Sequence, residues 1–318
     1  MTPSGQAARA FWTVAPGRGE IRTETFWPLP GQVRVRTIAS GISRGTESLV
    51  FAGRVPQSQY AVMRAPLMGG EFPFPVKYGY SAVGLTDELQ RVFVLHPHQD
   101  IFNAPEAMCV PVPDAVPTAR AVLAANMETA LNILWDAAPL AGERILVIGA
   151  GVVGLLTAAL CARIPAAKIT VVDIDPAREG LARRLGCDFA APDAAPGEQE
   201  LIVHASASEA GLRLALAKAA FEARIVEASW FGDRAPALPL GEAFHARRLR
   251  IIATQVGAVA PPMRGRRAYA DRLATALALL TDPLFDALLD AREKFENLPT
   301  AMPRLLAGGL CHVVTYES

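Results

Sequence analysis

Gly149, Gly151 and Gly154 stand at the spacing G-x-G-x-x-G, with Val152 and Val153 before the last glycine. The residues before them, ILVIG, read as a buried strand, and 152–163 reads as a helix. That setting gives each glycine a task. Gly149 lets the chain turn sharply, Gly151 lets backbone N–H groups approach a pyrophosphate, and Gly154 lets helix and strand pack closely. The helix amino terminus adds a partial positive charge for the anion. Asp173 ends the next predicted strand, where its carboxylate can accept hydrogen bonds from a ribose diol. It would also repel a 2′-phosphate, which favours NAD, while the nearby Arg178 keeps NADP open. Asp175, ahead of Pro176, reads as the residue that starts the following helix. The plainer alternative is a glycine-bearing turn in some other α/β chain, with Asp173 only capping a loop.

These residues need an alternating scaffold, and the sequence predicts one. Strands are expected at 145–149, 168–173, 200–205, 224–229 and 250–255, with helices at 152–163, 177–185, 209–220 and 264–281. Strand and helix in turn argue for a parallel sheet covered on both faces. Residues 1–118 differ. Short alternating runs such as 32–38 and 91–95 are punctuated by WPLPG at 27–31 and FPFPVKYGY at 72–80, and read as mostly β. The stretch 111–117 reads as a linker, since residues before proline are pushed to extended geometry. A helix is expected over 118–136, and the tail reads as a helix and a strand.

The bulk properties narrow the function classes. The chain has 318 residues, enough for two domains. Lys and Arg total 31 and Asp and Glu total 31, which argues against a broad electrostatic nucleic-acid binder. With 51% hydrophobic and 19% charged residues, it is a folded chain rather than a disordered one. The four cysteines, Cys109, Cys161, Cys187 and Cys311, are far apart, so neither a metal knuckle nor a disulfide framework is expected. A reducing cytoplasm fits that usage. The amino-terminal residues lack the apolar stretch of a signal peptide. Residues 145–162 imitate a membrane span, but their three glycines favour a buried strand and helix, so no membrane partner is expected.

Together these features resemble the medium-chain dehydrogenase/reductases. The resemblance rests on the glycine loop with Asp173, on ASGISRGTESLVFAG at 39–53, and on VKYGYSAVG at 76–84. It implies an α/β fold: a GroES-like β domain over 1–118, completed by 282–318, and a Rossmann doubly wound parallel sheet over 119–281. Zinc-dependent members carry a cysteine at the position of Ser43 and a His-Glu pair at Tyr80 and Ser81. A neutral hydroxyl and a phenol are poor zinc ligands, and the cysteine lobe of many members is missing. Neither catalytic nor structural zinc is therefore expected; His96, His98 and Cys109 are an alternative, unrelated set. The GISRGTE segment and the Gly-Tyr pair are similar to the zinc-free subgroup, and among its members to the hydroxyethyl bacteriochlorophyllide dehydrogenase group.

The resemblance implies hydride transfer between nicotinamide and an alcohol or carbonyl carbon, with hydrogen-bond donors in place of the metal. Tyr80 and Ser43 are the first candidates. Lys77 and Tyr78 share the stretch, and His98 can exchange a proton near neutral pH. Each has a plainer reading: Tyr80 as a packed aromatic, His98 as a satisfied loop histidine, Lys77 as a solvated charge, and Thr46 and Glu47 as loop-ordering groups. Cofactor contacts are expected beyond the carboxyl ends of the strands, from Ser206, Trp230, Gly232 and Gln255. Residues 126–129, with Asn126, Glu128 and Thr129, resemble the segment that approaches the nicotinamide; helix solvation is their plainer reading. Two other functions stay open: an NADPH-dependent enone or quinone reductase, and a dinucleotide-binding sensor or subunit without catalysis. The expected partners are a small-molecule substrate and, from the resemblance, a second copy pairing through 250–257.

Overall fold

The computed structural model describes residues 5–27 and 29–317. Residues 1–4, where the amino-terminal reading begins, Pro28 of the WPLPG cluster and Ser318 lie outside the described residues. The chain forms two compact units, Met1–Ala125 with Leu273–Ser318, and Asn126–Arg272.

The first unit is built on antiparallel strands. β1 (Gln6–Ala15) and β2 (Arg18–Phe26) form a hairpin, followed by β3 (Gln32–Ile42), α1 (Arg44–Phe51), β4 (Gly69–Gly70), β5 (Val76–Lys77), β6 (Ala82–Thr86), β7 (Arg91–Val94), β8 (Ile101–Pro105) and β9 (Val110–Pro111). One sheet has the order β2-β1-β5-β4. The other continues into the tail of the chain. There β16 (Leu289–Lys294), α8 (Leu298–Ala307) and β17 (Cys311–Thr315) return, and β17 lies antiparallel to β3 with Val314 opposite Ser40. The tail thus groups with the amino-terminal unit from Leu273 on, rather than from 282, and that unit runs to Ala125 rather than 118. Its core is apolar and aromatic: Phe11, Ile42, Phe51, Phe295, Leu298, Met302 and Val314 pack together. Full burial of each such side chain is worth about 1.5–3 kcal/mol.

The helix expected over 118–136 is broken. α2 (Thr118–Ala121) ends, two residues turn, and α3 (Ala124–Ala137) begins. The Val122 carbonyl at the break accepts the Ser81 hydroxyl. Gly41 lets that turn come close, since a Cβ there would stand 3.0 Å from the Val122 carbonyl oxygen. A tertiary contact therefore interrupts a pattern that was helical throughout.

The second unit is a six-stranded parallel sheet. Its strands are β10 (Arg144–Ile148), β11 (Lys168–Val172), β12 (Asp188–Ala190), β13 (Gln199–His204), β14 (Ala219–Glu227) and β15 (Arg250–Ala253), connected through α4 (Val152–Cys161), α5 (Glu179–Arg184) and α6 (Glu209–Lys218); α7 (Tyr269–Leu279) follows β15. The order is β12-β11-β10-β13-β14-β15, so the chain first builds outward from β10 on one side and then on the other. Leu146, Ile148, Ile202 and Ile225 on the strands pack with Leu212, Ala215 and Leu216 of α6. The run 145–162 resolves into β10 and α4, and among the described residues no helix is long and apolar enough to cross a membrane. The helix expected over 177–185 is shorter than expected. Asp175 caps a 3-10 turn at Pro176–Arg178 by accepting the Ala177 N–H, and α5 follows.

Candidate functional site

The glycine loop joins β10 to α4. Gly149 has φ +109°, a conformation that L side chains rarely adopt, and a Cβ on it would stand 2.8 Å from the Ser206 nitrogen. A Cβ on Gly154 would stand 2.0 Å from the Gly149 carbonyl oxygen. Both glycines are thus required by packing. Gly151 differs: nothing lies within 4 Å of where its Cβ would be. It is the N-cap of α4 and has no side chain with which to cap the helix end. Backbone N–H groups at a helix start lack internal partners and favour an anion. Asp173 holds this geometry from the next strand. One carboxylate oxygen accepts the Ala150 N–H at 2.6 Å, and the other accepts the Asp175 N–H at 2.9 Å. Ile174, which the sequence reading passed over, stands 87% exposed beside it. Its signal was an isoleucine placed after the strand rather than in it.

The carboxyl ends of β13 and β14 carry a polar cluster that the sequence reading found only at Ser206. The His204 side chain is wholly buried. Its Nδ1 lies 2.7 Å from Glu227 Oε2, and its Nε2 lies 2.8 Å from Ser206 Oγ. Two polar residues ending the apolar runs ELIVHA and RIVEAS were the available signal.

In the first unit, Ser43, Tyr80, Glu47 and His98 come together. Tyr80 donates its hydroxyl to Ser43 Oγ at 2.7 Å and also bonds the Thr46 side chain. Burial, then the nearby Glu47 carboxylate, pushes the Tyr80 phenol up to about 12. Glu47 is buried, and its two oxygens serve different partners. Oε1 accepts the Ser43 N–H at 2.7 Å and Oε2 meets His98 Nε2 at 3.0 Å. The other ring nitrogen of His98 meets Ser40 Oγ at 2.7 Å, and Ser40 meets the Tyr316 hydroxyl at 2.9 Å. Glu47 therefore does more than order its own loop: it joins α1 to the His98 loop. Cys311 of β17 also lies close by, its thiol pushed up to about 12 by burial and by the neighbouring Asp290 and Glu47 carboxylates.

Other expected residues stand elsewhere. Lys77 is buried rather than solvated; its ammonium donates to Glu24 at 2.6 Å and to Gln99 at 2.7 Å, outside the Tyr80 cluster. The Tyr78 hydroxyl reaches the Met63 carbonyl at 3.4 Å. Arg178 pairs with Asp175 at 3.2 Å. The Gln255 side-chain oxygen accepts the Gly257 N–H at 2.5 Å and closes a turn. Trp230 and Thr129 are half-buried in the second unit. Glu128 and Asn126 are buried, so helix solvation is not their role. Glu128 accepts from Arg272 at 3.0 Å, and Arg272 also bonds Asn132 at 2.6 Å and the Val256 carbonyl at 2.5 Å. Burial raises the Glu128 carboxyl against the opposing pull of Arg272.

His96 and His98 face different partners, since His96 stacks on Phe102 and bonds the Pro97 carbonyl. The Cys109 thiol points to the Pro105 carbonyl. Among the described residues, no group of three His, Cys, Asp or Glu side chains is arranged to hold a metal ion.

No family model matches the chain. An L-threonine 3-dehydrogenase of Rhizobium rhizogenes is 37% identical over 86 residues, which is 26% of this chain. The match spans only 24% of the length of that curated relative. Solved structures align over nearly the whole chain. An alcohol dehydrogenase of Escherichia coli, described as short chain and complexed with NADH, covers 98% of this chain and 100% of its own, with TM-score 0.78 and 17% identity. An L-idonate 5-dehydrogenase of Escherichia coli covers 99% and 100%, with TM-score 0.80 and 14% identity. These likenesses agree with the strand orders and with the tail's return to the amino-terminal unit: the chain has the medium-chain dehydrogenase/reductase fold, an antiparallel β unit and a six-stranded Rossmann sheet.

Proposed function

We propose that this protein is an NAD(H)-dependent oxidoreductase that interconverts an alcohol and a carbonyl compound without zinc. The observation that carries the reading is the glycine cradle, where two glycines are demanded by packing and the third leaves the start of α4 open. The cradle fits a dinucleotide: N–H groups at the start of α4 hold the pyrophosphate. Asp173, each of whose oxygens accepts one backbone N–H, keeps further lone pairs for ribose hydroxyls. Ile174 offers an apolar surface to the adenine. When bound, the nicotinamide supplies or receives the hydride.

This chain's own residues then handle the substrate oxygen. Tyr80, with its phenol pushed up to about 12, keeps its proton at neutral pH and donates it to Ser43, which leaves the Ser43 hydrogen for the substrate oxygen. Ser43 stands 2.7 Å away as the second hydroxyl. A well-placed donor to a developing oxyanion is worth roughly 3 kcal/mol, so the pair substitutes for much of the polarising effect of a metal. Zinc independence is supported by the chemistry at the metal positions. Ser43 and Tyr80 are neutral hydroxyls bonded to each other, and Glu47 and His98 hold one another. A homodimer is supported by β15, which among the described residues is a sheet edge paired only with β14 and carries the exposed Ile251.

Calorimetric titration with NADH and NADPH, followed by oxidation and reduction assays on a panel of alcohols, ketones and enones, tests the reading. NADH binding at micromolar levels with turnover of an alcohol or ketone is expected. Reduction of C=C bonds alone, or tight binding without turnover, would replace it with the reductase or sensor reading. About one zinc per chain in metal analysis of active protein would overturn the zinc-free part.

A further inference from the structure

His204 has no part in the chemistry above, yet both its ring nitrogens are engaged at the centre of the Rossmann sheet. In a sheet of this order, ligands bind beyond the carboxyl ends of the strands where the strand order reverses, here between β10 and β13. Gly149 follows β10 and Ser206 follows β13, and the two loops touch: a Cβ on Gly149 would stand 2.9 Å from the Ser206 Cα. The Ser206 backbone is therefore beside the cradle, and the groups around its hydroxyl, His204 and Ser208, decide what that hydroxyl can offer. We propose that His204 and Glu227 are positioning residues that fix the Ser206 hydroxyl as a hydrogen-bond acceptor for a ribose hydroxyl of the bound dinucleotide. The proposal rests on the dinucleotide reading given above.

The direction of each bond follows from its partners. A carboxylate only accepts, so His204 Nδ1, 2.7 Å from Glu227 Oε2, carries a hydrogen. In the proposed arrangement the ring is neutral, Nε2 presents a lone pair, and Ser206, at 2.8 Å, donates its hydrogen there. Ser208 Oγ accepts the Gly211 N–H at 3.0 Å and lies 2.9 Å from Ser206 Oγ. With the Ser206 hydrogen committed to His204, Ser208 is the donor of that pair. One lone pair on Ser206 remains. It suits a sugar hydroxyl, which can donate, and not an ionised phosphate oxygen, which cannot.

Two further observations show that the chain makes room for this arrangement and holds it. Gly211 lies in the first turn of α6, where a Cβ would stand 2.5 Å from Ser206 Oγ, 2.8 Å from His204 Nε2 and 2.8 Å from Ser208 Oγ. Any other residue would displace the three polar atoms together. Meanwhile Glu227 Oε1 accepts the Ser229 N–H at 2.7 Å, and Ser229 Oγ accepts the Ala207 N–H at 2.9 Å. The turns after β13 and β14 are thereby tied to one carboxylate.

Glu227→Gln reverses the polarity at nearly constant volume. The Ser229 N–H still needs an acceptor, so the amide oxygen faces it and the amide NH2 faces His204. His204 then holds its hydrogen on Nε2 and donates to Ser206, which already accepts from Ser208 and is left with only a hydrogen to present. The experiment compares wild type, Glu227→Gln and Ser206→Ala by NADH titration and thermal melting, with NMR of protein labelled with 15N-histidine. Wild-type His204 should show the Nδ1–H tautomer, identified among the five histidines by its loss in His204→Gln, and Glu227→Gln should show Nε2–H. Ser206→Ala should weaken NADH binding about tenfold, the effect of one hydrogen bond, and Glu227→Gln by less, since a sugar hydroxyl can also accept the hydrogen Ser206 then presents, with melting temperatures close to wild type. NADH should also shift the wild-type Nε2 resonance. Wild-type affinity in both variants, or a His204 resonance indifferent to NADH, overturns the proposal alone. No NADH binding by wild type sinks the dinucleotide reading and the proposal with it.

Discussion

A phenol pushed up to about 12 is a dependable donor, because it keeps its proton at any pH at which the protein works. Tyr80→Phe removes that donor and the bond to Ser43 while leaving the ring in place. Turnover should fall roughly 100-fold, corresponding to about 3 kcal/mol, while NADH affinity, read by titration, stays within about twofold. Equal turnover in the two proteins would remove Tyr80 from the mechanism. Glu47→Leu acts differently, by leaving the buried Ser43 N–H and the His98 ring without their acceptor. A loss of roughly 1–3 kcal/mol for each buried group left unsatisfied is expected in urea unfolding. That Tyr80 and Ser43 meet, at 2.7 Å, was anticipated only through the resemblance, which aligns both with the ligand positions of zinc-dependent chains. The place of Lys77 was not legible, since its partners, Glu24 on β2 and Gln99 between β7 and β8, lie far from it in the sequence. His204 and Glu227 were legible only in part. A polar residue at the end of an apolar run signals a buried partner, but which partner it meets depends on the parallel register that sets His204 beside Glu227.

The strand, glycine turn and helix at 144–161 form the element most completely written in the sequence, and two alanine substitutions separate its packing from its binding role. Gly154→Ala places a methyl 2.0 Å from a backbone oxygen. The helix-propensity gain of about 1 kcal/mol over glycine cannot offset that overlap, so calorimetry should show a lowered melting temperature together with lost NADH binding. Gly151→Ala meets nothing within 4 Å in the protein and has an ordinary φ of −76°. It should melt like wild type yet bind NADH at least tenfold more weakly, because its methyl enters the space through which the pyrophosphate approaches. If both variants keep wild-type affinity, the cradle holds no dinucleotide. Element boundaries elsewhere were less legible. Periodicity cannot anticipate the Ser81 hydroxyl that takes the Val122 carbonyl and splits the helix. Nor does it mark β16, which owes its place to parallel pairing with β17.

At the scale of the whole molecule, the fold class was legible because alternating strands and helices admit few arrangements, and the tail's return was legible as a leftover helix and strand. What the sequence does not display is the stability cost of enclosing ionisable groups in the first unit. His96 is the clearest case. Burial, then the nearby charge on Lys77, lowers its pKa to about 3, against the pull of the Pro97 carbonyl. Its ring is stacked on Phe102 with centroids 3.5 Å apart. In the unfolded chain the same ring titrates near 6.5. Above that pH both states hold it neutral and it adds no pH dependence. Below it the unfolded chain takes up a proton that the folded protein refuses until about pH 3, so stability falls across that window by about 1.4 kcal/mol per pH unit. His96→Phe keeps an aromatic ring against Phe102 and removes the titration, at the cost of the bond to the Pro97 carbonyl. Urea unfolding at pH 7, 6, 5 and 4 should therefore find wild type ahead or level at pH 7 and losing ground at each step, by up to one proton's worth per unit, until the variant is the more stable protein in acid. Parallel stability curves for the two proteins would mean that His96 takes up its proton in the folded state as readily as in the unfolded one.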